Sequence, residues 1–394
     1  MAESRTLRVV VAPDSYGGAL DSVGVARAIA AGWARVRPGD TIDLRPMADG
    51  GEGTLAAVRA ALEKRAEARS VATVDALGRP IEATWLLVDE GRGAFIEMAA
   101  ASGLARLAAD ERTPESARRA STRGTGDLVR AALDAGVARI TLGLGGSATT
   151  DGGTGMLRAL GVRFLDGAGA DLPEGGAALT SLDRIDADGL DRRLAEVRIV
   201  VASDVTNPLC GPRGAAATYG PQKGADPAAV DELDAALATY GRTIEAATGR
   251  LVADLPGAGA AGGTTAALLG FTSAAVRPGV EVVAELVGLA AALEEADLVI
   301  TGEGRADGQT LSGKAAMGVA RLAGARKTPV VLLAGGLGEG AEALDAATPI
   351  GLVQPILDRP MELAEAMADT ARLLEAAAAR LARAIGIGLD LAHE

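Results

Sequence analysis

Short runs of β-branched and other apolar residues recur along the chain without the polar–apolar alternation of a half-exposed strand. They occupy residues 7–12, 41–44, 139–144, 197–202, 298–301, 330–334 and 350–353. Strands that are buried on both faces have this composition, as in a parallel sheet covered by helices. Segments with helical spacing lie between several of the runs, at residues 23–36, 53–64, 126–135 and 314–322. This order predicts an α/β chain with right-handed crossovers.

The alternation of strands and helices is clean in residues 1–72 and again from about residue 296 onward. The residues between are different, with several turn clusters and a long polar helix at 226–247. We predict that residues 73–289 form a second domain inserted into a first domain made of residues 1–72 and 290–394, with the ligand in the cleft between them. In the tail, apolar side chains at helical spacing predict packing on the sheet; they are Leu363, Met367, Leu374, Leu381 and Ile385.

Charge and composition restrict the partners. The 39 Lys and Arg residues against 52 Asp and Glu residues give a net charge of −13, and like charge opposes binding to nucleic acid or anionic membranes. The apolar runs are too short for a signal-peptide core or a bilayer span. With a single cysteine, Cys210, the chain is expected to be cytoplasmic and free of internal disulfides. Because 53 residues are glycine and only 2% are aromatic, backbone amides should contact the ligand, which favours a small anion.

The available catalytic side chains are few. The only histidine is His393, one residue from the end of the sequence, where chains usually fray. Ser-His-Asp, Cys-His and His-ligated zinc chemistry are therefore excluded. Asp, Glu, Lys, Ser and Thr remain, and hard oxygen ligands with positioned cations suit magnesium and phosphoryl transfer.

Acidic, glycine-rich segments follow several of the apolar runs. Ligands of open parallel sheets bind beyond the carboxyl ends of the strands, so these segments are where we expect the site. Helix capping could explain any single acidic residue in these segments, but a helix cap does not need glycines around it. An anion that approaches backbone amides closely does need them, because a side chain would block its approach. The candidate residues in these segments are Asp14, Ser15, Asp49, Glu52, Gly145, Gly146, Ser147, Asp204, Asn207, Gly302, Glu303, Arg305 and Asp307.

Two further cations and two motif-like segments need an interpretation. Arg213 and Lys223 lie in tight Gly-Pro turns and are either salt-bridge partners or, as turn rigidity favours, anion ligands. Residues 308–314 fit GxxxxGK, but Ala315 stands where the magnesium-binding Ser or Thr belongs, so a P-loop is disfavoured although Lys314 can meet a phosphate at a helix start. Residues 257–262 fit GxGxxG after a short, charged run, which favours the start of a glycine-rich helix over a dinucleotide site.

These segments together resemble the type I glycerate kinase family. The resembling motifs follow one another from Val9 to about Met361: VAPDS ending at Ser15, PMADGGEGT from Pro46, EMAAASGL from Glu97, GTG from Gly124, GGSAT around Ser147, Asp204 with NPLCGPRG from Asn207, GPQKG around Lys223, PGAGAAGG from Pro256 and TGEGRADGQT from Thr301. A series of this length is highly specific.

The resemblance implies an ATP- and Mg²⁺-dependent kinase of D-glycerate, with 2-phosphoglycerate as the favoured product. It also implies a flavodoxin-like (Rossmann-like) parallel-sheet domain split by an inserted mixed α/β domain. We expect direct transfer without a phosphoenzyme, so that positioning and charge neutralisation dominate.

On this basis each candidate receives a role. Asp204 or Asp307 accepts the hydroxyl proton, and Lys223 is the cation nearest the transferring group. Asp49, Glu52 and Glu303 hold magnesium directly or through water. Substrate and phosphate contacts are expected from Asp14, Ser15, Gly145, Gly146, Ser147, Asn207, Arg213, Gly302, Arg305 and Lys314.

One segment departs from the family pattern. After Tyr16 the chain reads Gly17-Gly18-Ala19, where the family commonly has Lys-Gly-Ser. The lost cation leaves open a catalytically silent or altered-specificity hydroxy-acid-binding protein, and a nicotinamide-dependent oxidoreductase that uses residues 257–262 is the less favoured alternative. The residues do not decide between the 2- and 3-hydroxyl of glycerate, and a homodimer is the oligomer considered.

Overall fold

The computed structural model describes residues 5–308, 310, 315–341, 344 and 348–392. The chain divides into two compact units. Unit 1 consists of Met1–Asp49, Ala56–Glu63 and Val280–Glu394, and unit 2 of Gly50–Leu55 and Lys64–Gly279. Unit 1 carries a five-stranded sheet, and unit 2 a six-stranded sheet with a separate two-stranded one.

Strands and helices alternate along much of the described chain. The strands are β1 (Arg8–Val11), β2 (Thr41–Leu44), β3 (Glu67–Val74), β4 (Pro80–Val88), β5 (Gly93–Glu97), β6 (Arg139–Gly143), β7 (Arg163–Leu165), β8 (Arg184–Asp186), β9 (Arg198–Ala202), β10 (Ala275–Arg277), β11 (Leu298–Ala306), β12 (Val330–Leu337) and β13 (Ile350–Pro355). The α-helices are α1 (Ser22–Ala34), α2 (Thr54–Leu62), α3 (Ala99–Ser102), α4 (Pro114–Arg119), α5 (Arg123–Asp134), α6 (Thr154–Ala159), α7 (Ala215–Tyr219), α8 (Pro227–Thr248), α9 (Ala260–Phe271), α10 (Gly279–Leu286), α11 (Leu289–Ala292), α12 (Ala315–Gly324), α13 (Leu363–Ala368) and α14 (Thr370–Ala392).

The non-alternating runs all form strands, as predicted, but β2 and β13 are mostly exposed or partly exposed rather than buried, because they are the edge strands of their sheet. The strands that the sequence analysis missed include β3 and β4, which pair in antiparallel register; β3 is almost entirely exposed or partly exposed, and β4 is largely so in its first half and buried from Trp85 to Val88. Their pattern differs from that of a strand covered on both faces, which is why a search for continuous apolar runs passes over them. Among the described residues, no helix is long and apolar enough to cross a bilayer.

The sheet of unit 1 is entirely parallel, in the order β13-β12-β11-β1-β2. Its core joins Val9 and Ile300 of the sheet to Trp33 of α1. The long C-terminal helix, Thr370–Ala392, packs against α1. Gly32 allows this contact, since a Cβ there would lie 2.1 Å from the carbonyl oxygen of Glu375.

The predicted apolar stripe of the tail is only partly correct. Leu374 and Leu381 are buried in the core of unit 1, and Ile385 packs against it. Leu363 and Met367 are instead 75% and 37% exposed. They belong to a separate short helix, Leu363–Ala368, and the break before Thr370 turns them out of the stripe.

The sheet of unit 2 is mixed, in the order β10-β9-β6-β5-β4-β3. Strands β10, β9, β6 and β5 run parallel, whereas β4 and β3 are antiparallel to their neighbours. Its core contains Leu142 and Val201 from the sheet, Leu128 from α5 and Leu237 with Tyr240 from α8. The chain is therefore a mixed α/β protein with parallel sheets.

The last acidic segment is not the loop that the sequence predicts. Strand β11 continues past Thr301 to Ala306, with Glu303 opposite Ala334 and Arg305 opposite Gly336 of β12. Glycines make this extension fit, because a Cβ at Gly304 would lie 3.3 Å from the Cα of Tyr16. Glu303 and Arg305 are thus held by a rigid strand.

The GxGxxG-like segment leads into a helix, as predicted, with α9 beginning at Ala260. No strand lies between β9 and this segment in the fully described residues 203–256, so no strand–turn–helix unit frames it. Gly262 has a φ of +65°, and a Cβ there would lie 2.0 Å from the carbonyl oxygen of Thr149. The glycine therefore serves close packing against the loop after β6.

Candidate active site

The carboxyl edge of the unit 1 sheet brings predicted site residues together. The loop after β1 is fixed by its backbone, since the Asp14 amide donates to the Gly302 carbonyl oxygen (2.8 Å) and the Met47 amide to that of Pro13 (2.8 Å). Strand β1 has β2 on one side and β11 on the other. The chain continues from β1 to β2 and returns only later as β11, so this edge is a switch point of the kind where α/β sheets bind ligands.

Three carboxylates interact at this edge. The pKa of Asp14 is raised from its ordinary value of 3.8 to about 6, chiefly by burial, while the amide of Ser15 opposes the rise and the charges of Asp49 and Glu303 add to it. Negative charges that disfavour one another in this way attract a cation. The structure thus places Asp14, predicted as a substrate contact, with two of the predicted magnesium ligands.

Glu303 is buried and held in position by Thr310. The Thr310 hydroxyl donates to Glu303 Oε1 (2.6 Å) and accepts from the backbone amide of Asp307 (3.1 Å). The carboxylate of Asp307 pairs with the exposed Arg305 at 3.4 Å. Thr310 therefore connects the predicted metal ligand to one of the two predicted bases, a link that the sequence did not reveal.

Tyr16 fills the space beside the glycines of β11. Its hydroxyl donates to the carbonyl oxygen of Leu333 (2.8 Å) and would lie 2.8 Å from a Cβ placed on Gly302. Burial and then the charge of Glu303 raise the pKa of Tyr16, so its hydroxyl stays neutral. Gly302 therefore has a packing role here, and Ser15 is exposed beside it. Lys314 lies outside the described residues.

In unit 2, the segment Gly50–Leu55 contacts the carboxyl ends of β6 and β9. A Cβ on Gly50 would lie 2.8 Å from the carbonyl oxygen of Ala202, the last residue of β9. The Gly145 amide, just after β6, donates to the carbonyl oxygen of Gly50 (3.3 Å). Glu52 then lies beside Gly146, whose Cβ would be 3.5 Å from that of Glu52. The structure therefore brings Glu52 to the predicted anion loop.

Glu97 holds this segment in place. Its carboxylate accepts hydrogen bonds from the amides of Gly53 (3.1 Å) and Leu55 (2.8 Å) at the start of α2. Burial raises the pKa of Glu97, the two amides oppose the rise, and the charge of Glu52 adds to it. Glu97 stands in one of the family-like motifs but was given no role, because its partners lie more than forty residues upstream.

The loop after β6 has the backbone geometry of an anion site. Gly146 has a φ of +71°, and its carbonyl oxygen accepts from the amide of Leu104 (2.7 Å), while the Ala148 amide donates to Ser102 (2.9 Å). Within the described part of the chain, the amides of Gly146 and Ser147 donate to no protein acceptor. Adjacent free amides around a left-handed glycine form a concave site for an anion.

Lys223 is buried against this loop. Its ammonium donates to the hydroxyl oxygen of Ser147 (3.0 Å) and to the carbonyl oxygen of Thr149 (2.6 Å). Burial lowers the pKa of Lys223 from 10.5 to about 8, and the negative charge of Asp151 opposes that change. The turn carries the Lys223 side chain into the interior, where it is 2% exposed.

Asp151 is a functional candidate that sequence reasoning missed. Its carboxylate accepts from the amide and hydroxyl of Thr122 (2.9 and 2.8 Å) and from the amides of Gly153 and Gly155 (3.1 Å each). Burial raises the pKa of Asp151, and these hydrogen bonds oppose the rise. The acidic residue was visible in the segment after β6, but Thr122 lies 29 residues away in sequence.

Asp204 and Asn207 follow β9. Asp204 is exposed, and its Oδ1 accepts from the amide of Gly279 (3.0 Å). The Asn207 side chain donates to the carbonyl oxygen of Arg213 (2.7 Å) and accepts from the Tyr219 hydroxyl (2.9 Å). Asn207 thus fixes the turn that carries the exposed Arg213, and its amide group is already engaged.

The donor set of unit 1 suits magnesium. Among the described residues, no group of three or more His, Cys, Asp or Glu side chains encloses a point where a metal could sit. Mg²⁺ is commonly held by one or two carboxylates together with water and substrate phosphates, and it prefers hard oxygen donors. The carboxylate of Asp14, on which the charges of Asp49 and Glu303 both act, fits such an open arrangement.

Comparison with known proteins agrees with the motifs. The family model described as "Glycerate kinase family" matches residues 9–386. A protein named glycerate kinase from Halalkalibacterium halodurans is 45% identical over 95% of this chain and 97% of its own. One named glycerate 2-kinase from Escherichia coli is 44% identical over 84% of this chain and 86% of its own.

A solved structure is also similar. It comes from Salmonella typhimurium and carries the provisional name glycerate kinase 2; it is 41% identical, with a TM-score of 0.85, over 98% of this chain and 100% of that one. The resemblance seen in the sequence motifs is thereby confirmed. This chain belongs to the glycerate kinase family.

Proposed function

We propose that this protein transfers the γ-phosphoryl group of ATP to the 2-hydroxyl of D-glycerate. Membership of the glycerate kinase family supports an ATP-dependent kinase with an alcohol acceptor. The choice of the 2-hydroxyl is supported by the name of the E. coli relative, glycerate 2-kinase. The observation that carries the chemistry is that the chain has both a group of carboxylates at the sheet edge of unit 1 and a free-amide glycine loop in unit 2.

The carboxylates of unit 1 are proposed to hold Mg²⁺ with the nucleotide phosphates. Asp49 and Glu303 are proposed as magnesium ligands, as predicted from the sequence, and Asp14 is proposed as a third. Magnesium binding by Glu52 stays a prediction. When bound, the metal would neutralise phosphate charge that the acidic residues otherwise repel. Thr310 keeps the Glu303 carboxylate in one orientation, so that the ligand is ready before the nucleotide arrives.

The loop of unit 2 is proposed to bind an anionic group of a substrate. The amides of Gly146 and Ser147 can donate to a phosphate or carboxylate oxygen, and they need no reorientation to do so. Gly145 contributes by bringing the loop against Gly50. Contacts from Ser15, Asn207, Arg213, Gly302, Arg305 and Lys314 stay predictions.

The fold of unit 1 supports the finer prediction of its class. Numbered within their own sheet, its strands have the order 2-1-3-4-5, which is the flavodoxin-like order. We therefore propose a flavodoxin-like domain that is split by an inserted mixed α/β domain. The bounds of 1–72 with 290–394 and of 73–289 stay predictions, since β3 from Glu67 onward pairs within the sheet of unit 2. A cytoplasmic location and a homodimer likewise stay predictions.

The proposed activity is tested by measuring ADP release with glycerate, tartronate, lactate or erythronate as acceptor. We expect turnover with glycerate, loss of turnover with excess chelator, and a ³¹P spectrum of 2-phosphoglycerate. Undiminished turnover with the chelator would sink the magnesium role. Glycerate binding without ATP consumption would instead support the catalytically silent binding protein.

The proton acceptor is tested separately, since Asp204 and Asp307 lie in different units. Removing a general base commonly costs about 10²-fold in rate or more. Asp204→Asn and Asp307→Asn change no side-chain volume, so the variant that loses this much turnover with an unchanged melting temperature identifies the base. If both variants keep near-full activity, neither residue is the base.

A further inference from the structure

Two buried residues of opposite charge flank the glycine loop of unit 2. Lys223 is 2% exposed and Asp151 is fully buried. The charge of Asp151 acts on Lys223, and the loop of residues 145–153 contributes partners to both side chains. Burying two charges is costly, and apolar residues of similar volume commonly stabilise a fold as well or better. Stability alone therefore does not explain the pair of Lys223 and Asp151, and both side chains are bound to the same loop.

The bond from Lys223 determines what the Ser147 hydroxyl can do. An ammonium group has donors only, so Ser147 Oγ must be the acceptor in their 3.0 Å contact. The hydroxyl hydrogen of Ser147 cannot point at Lys223 and is left to donate elsewhere. It belongs to the same residue as one of the two free amides of the loop.

We propose that Lys223 is a positioning residue that acts through Ser147, turning its hydroxyl into a fixed donor beside the amides of Gly146 and Ser147. The inference rests on the proposed function of this loop. In this role Lys223 does not make the direct contact with the transferring group that the sequence analysis predicts, because its ammonium is already bound to two oxygens of the loop. The ligand is an anionic oxygen, of either the glycerate carboxylate or an ATP phosphate.

Asp151 completes the arrangement by anchoring the same loop. Its bonds to Thr122, Gly153 and Gly155 join the loop to the starts of α5 and α6. The Thr122 hydroxyl also accepts from the amide of Met156 (2.8 Å), so it connects Asp151 to the first turn of α6. Asp151 thus supplies the counter-charge for Lys223 and restricts the movement of the loop that presents Ser147.

A double-mutant cycle tests whether Lys223 acts through Ser147. Lys223→Met and Ser147→Ala should each lower kcat/KM by about 10²-fold, the scale of losing one positioned donor. If both act on one hydroxyl, the double variant should also lose about 10²-fold. If Lys223 contacts the substrate independently, the losses should multiply to about 10⁴-fold, which overturns the proposal.

The Michaelis constants separate positioning from mere folding. A smaller folded fraction lowers the apparent kcat and leaves both KM values unchanged, whereas a disordered anion loop should raise one KM. A rise for glycerate identifies its carboxylate as the ligand, and a rise for ATP identifies a phosphate. Unchanged KM values for both substrates in Lys223→Met overturn the proposal. Lys64→Met is the matched control, since Lys64 is exposed.

Thr122 provides a second route if Lys223→Met does not fold. Thr122→Val removes the hydroxyl that donates to Asp151, and Thr122→Ser keeps it. We expect the same KM to rise in the valine variant and to recover in the serine variant. Asp75→Asn is the control, because Asp75 is equally buried but accepts from Leu77 and Arg79 in the turn between β3 and β4.

Failure of the proposed function can be told apart from failure of this inference. If the wild-type protein consumes no ATP with glycerate, the proposed function fails, and inorganic phosphate becomes the probe in titration calorimetry. The wild type should then bind phosphate, and Lys223→Met and Ser147→Ala should weaken it equally, with no further loss in the double variant. No phosphate binding by the wild type, or additive losses, overturns the inference.

Discussion

Replacing Lys223 by methionine should change how the stability of the protein depends on pH. The pKa of Lys223 is about 8 in the folded chain, because burial disfavours the charged form, against an ordinary value of 10.5. Between these values the unfolded chain holds a proton that the folded chain has released. The free energy of unfolding should therefore rise with pH across this window. Below pH 8 both states are protonated, and the full cost of the buried charge is present.

The size of the effect follows from the pKa difference. One pKa unit corresponds to about 1.4 kcal/mol, so the lysine should add roughly 3 kcal/mol to the free energy of unfolding between pH 7.5 and 10.5. The methionine variant lacks this gain because it has no titrating group at that position. Other groups also titrate in this range, so the quantity to compare is the difference between wild type and variant.

The assay is urea unfolding of both proteins at half-unit steps from pH 7 to 10.5. The difference in the free energy of unfolding, wild type minus Lys223→Met, should increase by roughly 3 kcal/mol over this range. Lys64→Met serves as the control, because Lys64 is exposed and its removal should leave the profile parallel to wild type. A flat difference for Lys223→Met would refute the buried, proton-releasing lysine.

Three further predictions concern the two sheet edges. Gly17→Lys should lower the KM for glycerate or ATP by up to about tenfold without changing the melting temperature, because a Cβ there meets no atom within 4 Å. Gly18→Lys, the control at a φ of +76°, should lose about 1 kcal/mol of stability. Gly262→Ala should cost about 2 kcal/mol or more in urea unfolding, since its Cβ would lie 2.0 Å from the Thr149 carbonyl oxygen. Asp14→Asn should raise the free energy of unfolding at pH 7 by up to roughly 3 kcal/mol, because a carboxyl whose pKa is raised to about 6 is unfavourably ionised there. That gain should vanish below pH 4, and melts at both pH values check it.

The buried parallel strands could be predicted because their signal is local. A strand covered on both faces needs a continuous apolar run, and such a run is visible in a few consecutive residues, as in residues 7–12. The half-exposed strands β3 and β4 and the extension of β11 to Ala306 depend on neighbours instead. Glycine-lined contact with Tyr16 makes room for that extension, and this contact joins residues far apart in the chain.

The sequence by itself determined which residues could take part in the chemistry. Because His393 is the only histidine, the catalytic groups had to be carboxylates, lysines and hydroxyls. The glycine-flanked acidic segments after the apolar runs indicated that these groups lie at the carboxyl edges of the sheets. The family motifs added the reaction, and the comparisons confirm the family.

Only the tertiary structure decided which of those residues are buried and which partners they contact. The sequence placed Lys223 in a tight turn and left its partner open, and the fold buries its ammonium on Ser147 and Thr149. Asp151 accepts hydrogen bonds from Thr122, 29 residues upstream, and the pKa of Asp14 is raised by burial and then by the charges of Asp49 and Glu303, which lie far from it in the sequence. The physical reason is that burial and charge coupling depend on distances through space, which neither residue type nor spacing along the chain specifies.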